Sequence, residues 1–317
     1  MSDPFETFAD VAEIGERLRD ADPVVRRLAV KDLGESALAE AEPLLIGAVD
    51  DPVAEVRRQA AEALGEFDGR QVAEGLARLV RDRDPSVARA AADSLAALRS
   101  AEAGAPILPL VRDLEPFVRA SALRALKALR LPDALPLAVA CLKDVSPAVR
   151  AQAIGVIAYL KRDDAVPALI GAVRDASADV RSAAVSALAF SHLATAGDAA
   201  AAALKDPEWQ VRIAAADALG RIGRSSATHA LIAALADEFW QVRQKAVQSL
   251  GRLKARDAVE SIISALTHEA PNLRKEAAAA LGEIADARAR PALEAAANDP
   301  DPDVRKTIAW ALSRIGG

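Results

Sequence analysis

The pattern of the stretch Glu208–Gly220, EWQVRIAAADALG, recurs along the chain at intervals of 31 residues. Its Val211 sets the phase, because steps of 31 residues in either direction reach an aliphatic residue each time. We number each of the ten copies from this residue as position 0, which stands at Val25, Val56, Val87, Val118, Val149, Val180, Val211, Val242, Leu273 and Val304. A period that continues without insertion or deletion predicts a repeat architecture.

Every copy contains the pattern of an amphipathic helix, which we name helix B. Position +4 is Ala in nine copies and Ile308 in the tenth, and position +8 is Leu or Ile in all ten. Position +11 is apolar in most copies. Residues at 0, +4, +8 and +11 lie on one face of a helix with 3.6 residues per turn. We therefore expect each helix B to bury this stripe.

A second amphipathic pattern, helix A, lies upstream of each helix B. Position +24 is apolar in every copy where it can be tested. Four copies have proline at +18, in the predicted first turn, where a missing N–H costs no hydrogen bond: Pro43, Pro136, Pro167 and Pro291. The first helix A is predicted between Phe5 and Arg19. We expect an all-α protein of ten helix pairs, about twenty helices, stacked as one α-solenoid domain over residues 1–317.

Composition narrows the function classes. The net charge of −6 and the pI of about 5.3 disfavour a surface for duplex nucleic acid. We find neither an apolar run of membrane-spanning length nor a basic leader followed by an apolar stretch, and we expect a cytoplasmic protein without membrane contact. The single cysteine, Cys141, is at position +23, where most other copies have Ala, and it is predicted to be a small buried thiol.

A repeated Asp–Arg pattern marks the turn before helix B. Position −5 is Asp in nine copies and position +1 is Arg in nine. A carboxylate in the turn and a guanidinium in the first turn of the helix can pair and bind exposed helix-end groups. Because the pattern recurs so often, we interpret it as a structural ladder, represented by Asp51, Arg57, Asp144, Arg150, Asp206, Arg212, Asp237 and Arg243. His268 at −5 of copy nine and Ala88 at +1 of copy three interrupt it, and we predict looser joints there.

The spacing D-x5-R, followed by Ala and then Leu-Gly, resembles HEAT repeats, specifically the short type named after phycobilin lyases. The resemblance covers essentially the whole chain. It implies a right-handed superhelix of 31-residue pairs, an Asp–Arg ladder along the stack, and helices B that line the concave side. Scaffolds, bilin lyases, hydroxylases and maturation factors all contain such repeats, so the resemblance leaves the activity open.

No catalytic or metal-binding constellation emerges from the sequence. His192, His229 and His268 occupy three different repeat positions, so they do not align in a stack. We find no supported Ser/His/Asp or Cys/His arrangement and no glycine-rich phosphate loop. We therefore predict no catalytic residue, no cofactor and no metal.

Positions −2, +2, +6 and +10 fall one turn apart, opposite the apolar stripe, and we name this surface the helix-B face. In copies one to three it carries mixed charges at i,i+4 spacing, which are predicted to pair. From copy four onward it carries all three Trp, the only Tyr and one Phe. We predict that a partner binds Tyr159, Phe190, Trp209, Ile213, Arg221, Trp240, Gln244, Arg252 and Trp310. The alternative is that Trp209 and Trp240 fold over the turn and cover the neighbouring copy.

These observations favour a non-catalytic scaffold or adaptor, or an assembly factor, that grips a partner protein on the helix-B face. An alternative is a bilin-lyase-like subunit for chromophore attachment or cofactor-protein maturation, which the resemblance suggests. Nucleic-acid binding, as in HEAT-like DNA glycosylases, is opposed by the acidic balance of the chain.

Overall fold

Helix B forms as the repeat predicts. The computed structural model describes residues 11–315, which contain twenty α-helices and no β-strand. The helices B are α2 (Pro23–Ser36), α4 (Ala54–Leu64), α6 (Pro85–Ala97), α8 (Pro116–Leu129), α10 (Pro147–Leu160), α12 (Ala178–Leu188), α14 (Trp209–Ile222), α16 (Trp240–Arg252), α18 (Pro271–Ile284) and α20 (Pro302–Ile315).

Local chemistry sets the ends of these helices. Six helices B begin with proline at position −2, where the ring fixes φ and no N–H is missed. Asp22 and Asp84 cap α2 and α6 by accepting hydrogen bonds from backbone N–H groups. In six copies the residue at +12 has positive φ and ends the helix, and only Gly223 takes this conformation without steric cost; the others are Ala37, Arg130, Lys161, Lys254 and Ala285.

The helices A are shorter and less regular. They are α1 (Val11–Arg17), α3 (Glu42–Gly47), α5 (Arg70–Leu79), α7 (Gly104–Ile107), α9 (Ala134–Cys141), α11 (Val166–Ala172), α13 (Ala194–Ala203), α15 (Thr228–Ala234), α17 (Val259–Ile263) and α19 (Arg290–Ala295). Several are flanked by 3₁₀ turns. In copy four the chain contains Pro106 and Pro109, which remove backbone donors, and α7 passes into the 3₁₀ segment Leu108–Arg112. The predicted residues Phe5–Asp10 of the first helix A lie outside the described residues.

The helix pairs fall into two compact units, unit 1 from Met1 to Leu160 and unit 2 from Lys161 to Gly317. Each unit contains five helix pairs. Within each unit, successive helices B pack side by side, with the helices A forming a second layer. The prediction of one continuous domain stays a prediction.

Burial within each unit confirms the apolar stripe. Position +4 is fully buried in nearly every copy, and position 0 is buried in all copies except the first. Position +5 is buried in nine copies, and only Ala309, in the last described helix B, is exposed. A helix pair therefore completes its core only against its neighbours, which is the property that defines a stacked repeat.

Candidate protein-binding surface on helices B

A buried ion pair at the turn edge ties several of the helices B to the next copy. Arg212, at +1 in α14, donates from Nε to Oδ2 of Asp237 at 2.6 Å and from Nη2 to Oδ1 at 3.0 Å. Its Nη1 donates to the carbonyl oxygen of Asp206 at 2.8 Å. The Asp237 carboxylate also accepts a hydrogen bond from the backbone N–H of Phe239 at 2.9 Å. We name this arrangement of one arginine and one aspartate a rung. It joins the turns before two successive helices B, and the arginine binds the carboxylate in the bidentate geometry that suits a guanidinium group.

The same rung recurs in both units. Its members are Arg26–Asp51, Arg57–Asp82 and Arg119–Asp144 in unit 1, and Arg181–Asp206, Arg212–Asp237 and Arg274–Asp299 in unit 2. The pattern D-x5-R suggested a pair of side chains within one copy. Instead, each of these six arginines pairs with the carboxylate of the following copy, and its Nη1 donates to a backbone carbonyl of its own turn, as Arg57 does at Asp51. The ladder therefore joins repeats.

The rungs lower the pKa of their carboxyl groups. Hydrogen bonds from the arginines hold the pKa of Asp82, Asp144, Asp206 and Asp299 below the ordinary value, against a smaller opposing effect of burial. In Asp51 and Asp237, burial is the largest influence and raises the pKa, but the hydrogen bonds and nearby arginines together outweigh it. These carboxylates are thus stabilised in their charged form.

The two interrupted rungs have different geometry. In copy three, Ala88 supplies no guanidinium, and Asp113 is reached instead by Arg81, whose side chain is half exposed, at 2.6 Å. In copy nine, Nε2 of His268 lies 2.6 Å from Nη2 of Arg243, while Nδ1 of His268 accepts from the N–H of Ala270. Both ring nitrogens of His268 face N–H donors. Because a neutral imidazole has only one acceptor nitrogen, it can accept only one of these two hydrogen bonds.

Trp209 lies over a rung. Its ring stacks on Phe239 of the following copy, with centroids 5.6 Å apart and planes 16° apart. The guanidinium of Arg212 lies 5.6 Å from the centre of the same Phe239 ring. Because Trp209 is the first residue of α14, its side chain reaches back over the turn. Trp209 thus covers the neighbouring copy, which is the alternative considered for it.

The other predicted aromatic residues are more exposed. In unit 1, Tyr159 is 42% exposed and accepts a hydrogen bond from Nε of Arg130 at 3.0 Å. In unit 2, Phe190 is 50% exposed with Nζ of Lys161 5.3 Å from its ring centre, and it lies in the turn after α12. Trp310 is 44% exposed. Within unit 2, Phe190 follows α12 and Trp310 lies in α20, so these two rings belong to different helix pairs.

Three predicted residues of the helix-B face occupy the first half of α14 and α16. Ile213, Trp240 and Gln244 are all partly buried. Trp240 begins α16 as Trp209 begins α14, but the residue that corresponds to Phe239 in the next copy is Ala270. These side chains make a partly exposed apolar and amide surface.

Charged residues converge on one carboxylate at the other end of the same helices. Asp217 accepts from Nε of Arg221 at 2.7 Å and from Nη1 of Arg252 at 3.0 Å, and Nζ of Lys245 lies 3.6 Å from it. Lys245 also donates to Oε1 of Gln248 at 2.8 Å. We name Asp217, Arg221, Lys245 and Arg252 the Asp217 cluster. Burial raises the pKa of Asp217, but the two arginines and Lys245 outweigh this effect and lower it.

The helix-B face differs in charge between the two units. In copies one to three, Lys31 pairs with Glu35, Arg58 with Glu62, and Asp93 with Arg124 of copy four, so the face is neutralised by its own pairs. In copies seven to ten, positions −2, +2, +6 and +10 carry two acidic residues, Asp217 and Glu283. They carry five basic residues: Arg221, Arg252, Lys275, Lys306 and Arg314. The face of unit 2 is therefore basic in a chain with a net charge of −6.

Comparison with known proteins agrees with the architecture of stacked helix pairs. The sequence matches HEAT repeats over residues 11–84, 74–146, 136–204, 176–240, 197–269 and 259–317. The chain belongs to the HEAT-repeat family. No curated protein matches it. The short phycobilin-lyase type of HEAT repeat stays a prediction.

Solved structures with this fold include other HEAT-like solenoids. An engineered protein is 21% identical, with a TM-score of 0.52, and the match covers 98% of this chain and 99% of that one. Kap95p, in a structure with RanGDP, is 15% identical with a TM-score of 0.69 over 96% of this chain. Importin beta is 15% identical with a TM-score of 0.67 over 96% of this chain. This HEAT-repeat chain spans about half the length of those two proteins, 49% and 50%.

Other features of this HEAT-repeat protein lie away from the helix-B face. A depression of about 620 Å³ involves helix-A residues of copies two to four, among them Pro43, Glu74, Arg78 and Pro106.

Within residues 11–315, no group of three or more His, Cys, Asp or Glu side chains could hold a metal ion. None of the helices in this range is long and apolar enough to cross a membrane. Cys141 is buried, as predicted, and burial raises the pKa of its thiol.

Two exposed aliphatic side chains were not predicted. Leu114 and Val145, both at position −4, are 93% and 88% exposed. Most other copies carry Pro, Ala or a charged residue at −4, so an alignment of the copies would have revealed the two aliphatic residues.

The sequence analysis did not predict the Asp217 cluster, for a different reason. Its arginines were assigned to the face, but their convergence on one carboxylate depends on how α14 packs against α16.

Proposed function

We propose that this protein is a non-catalytic HEAT-repeat scaffold that binds a partner protein on the helix-B face of unit 2. The observation that carries the proposal is the combination of partly exposed Ile213 and Trp240 with arginines held in place by Asp217. Apolar anchors beside oriented arginines are the residue types that dominate binding energy at protein interfaces.

The likeness to known solenoids supports this proposal at the level of the fold. Kap95p is described in a structure with RanGDP, and its fold is similar to that of this chain. The two-layer packing also supports it, because the side chains of the helix-B face contribute little to the buried stripe and are available for contact.

Site-specific photocrosslinking tests the proposal. A benzophenone amino acid is placed at Ile213 or Gln244 on the helix-B face, and at Glu260 or Glu294 on helices A as matched controls. After irradiation in an extract of the native cells, we expect discrete protein adducts from the helix-B positions only. Trp209 is not used, because its stacking on Phe239 is structural. Adducts from the helix-A positions alone, or none from Ile213 and Gln244, would contradict the proposal.

A further inference from the structure

The Asp217 cluster has more positive charge than its own carboxylate can neutralise. Arg221 and Arg252 each bind Asp217 through one nitrogen, and Lys245 is close to it, so three cations surround this carboxylate. The side chains of Arg221 and Arg252 are 53% and 36% exposed. Asp217 thus orients two guanidinium groups, each of which keeps further N–H donors facing solvent.

The surroundings of the cluster limit what can bind there. On the side of α18, the charge of Arg252 acts on Glu283, and Glu276 acts on the same carboxyl group. Toward the start of α14 and α16, the neighbours are Ile213 and Trp240 rather than further cations. A nucleic acid needs a track of cations along its phosphates, whereas the basic residues of this face are interrupted by the acidic Glu283 and by the apolar Ile213 and Trp240.

We propose that the helix-B face of unit 2 binds an extended acidic segment of the partner protein, with an Asp or Glu side chain in the Asp217 cluster and an apolar side chain over Ile213 and Trp240. This inference rests on the proposed function and specifies the chemistry of the partner. The positive charge of the Asp217 cluster favours an acidic side chain of the partner, because oriented arginines bind carboxylates in bidentate fashion.

Helix geometry sets the spacing in that segment. Ile213 and Arg221 are eight residues apart on α14, which corresponds to about 12 Å at roughly 1.5 Å per residue. An extended peptide advances about 3.3 Å per residue, so it covers this distance in about four residues. The acidic residue should therefore lie about four positions from the apolar one.

A random peptide library displayed on phage tests this inference with the full-length protein as bait. We expect enriched peptides to contain Asp or Glu about four positions from a large apolar residue. The best peptide, made synthetically, should bind the double variant Arg221→Gln with Arg252→Gln at least tenfold more weakly. Its affinity for the unchanged protein should also fall as NaCl is raised from about 50 to 500 mM, because exposed charges are screened.

The matched control removes two other exposed arginines of unit 2, by Arg162→Gln with Arg290→Gln. Both pair with nearby carboxylates, Asp164 and Glu294, as Arg221 pairs with Asp217. This control should keep the affinity within twofold. If the first double variant loses its helical circular dichroism, the single variant Arg221→Gln replaces it, with an expected loss of about threefold.

Several outcomes would overturn the inference: no enrichment, enriched peptides without acidic residues, or equal losses in the control variant. Capture of a random single-stranded oligonucleotide that also depends on Arg221 and Arg252 would assign the face to nucleic acid instead. Should photocrosslinks at Ile213 and Gln244 persist while acidic peptides fail to bind, the scaffold proposal stands and only the acidic partner is wrong.

Discussion

At the scale of single residues, glycine at position +9 sets how closely successive helices B approach. A Cβ atom added to Gly282 would lie 2.8 Å from Cα of Ala311 in the next helix B, and one added to Gly220 would lie 3.0 Å from Cα of Ser249. Both neighbours are backbone atoms, which cannot rotate away. The small residues at +9 and +7 therefore let the helix axes approach closely enough for buried Leu and Ala stripes to fill the space between them.

We expect Gly282→Ala to destabilise the protein by about 1–3 kcal/mol, because α18 and α20 must move apart. The control is Gly171→Ala in α11, where an added Cβ meets nothing within 4 Å. That substitution should stabilise the protein by up to about 1 kcal/mol through helix propensity. Urea unfolding followed by circular dichroism measures both. Effects of the same sign in the two variants would contradict this account of the glycine.

At the scale of helices, the Asp–Arg rung decides how firmly one helix B is tied to the next copy. A complete rung joins two turns through two side-chain bonds and a bond to a backbone carbonyl, as Arg274 does with Asp299 and the carbonyl of His268. Both side chains are largely shielded from water. The joints between α6 and α8 and between α16 and α18 lack this arrangement, since Ala88 and His268 replace one member each.

We expect His268→Asp to complete the interrupted rung and to raise stability by roughly 1–2 kcal/mol, since a carboxylate can accept from both Arg243 and Ala270. The reciprocal change, Asp237→His, should create the same mismatch at Arg212 and lower stability. Hydrogen exchange followed by mass spectrometry should be faster in the first turns of α8 and α18 than in that of α16, and His268→Asp should slow it in α18. Uniform protection across the helices B would show that the rungs do not control the joints.

At the scale of the whole molecule, the same ion pair recurs in both units, so its titration affects overall stability. Six rung carboxyl groups have a lowered pKa, namely Asp51, Asp82, Asp144, Asp206, Asp237 and Asp299. Because the folded pKa lies below that of the unfolded chain, about 3.9, the unfolded chain binds protons first as the pH falls. The stabilisation is therefore complete above about pH 5 and is lost as the pH falls through the folded values.

We accordingly expect the urea midpoint to be nearly constant between pH 7 and pH 5 and to fall steeply toward pH 3. A variant with one rung removed, Arg274→Gln with Asp299→Asn, should start from a lower midpoint and fall less steeply. An unchanged midpoint at pH 3, or an identical slope in this variant, would show that the ladder does not govern acid stability.

Periodicity by itself determined the ten copies, the pairing of helices A and B, and the burial of positions 0, +4 and +8, because a 3.6-residue period dictates which side chains share a face. Only the tertiary structure decided which copy each side chain contacts. Arg212 pairs with Asp237 and Trp209 stacks on Phe239, although both partners lie in the next copy. Arg221 and Arg252 likewise meet at Asp217, because contacts between copies depend on the separation and rotation of neighbouring helices, which a repeat pattern within one helix does not encode.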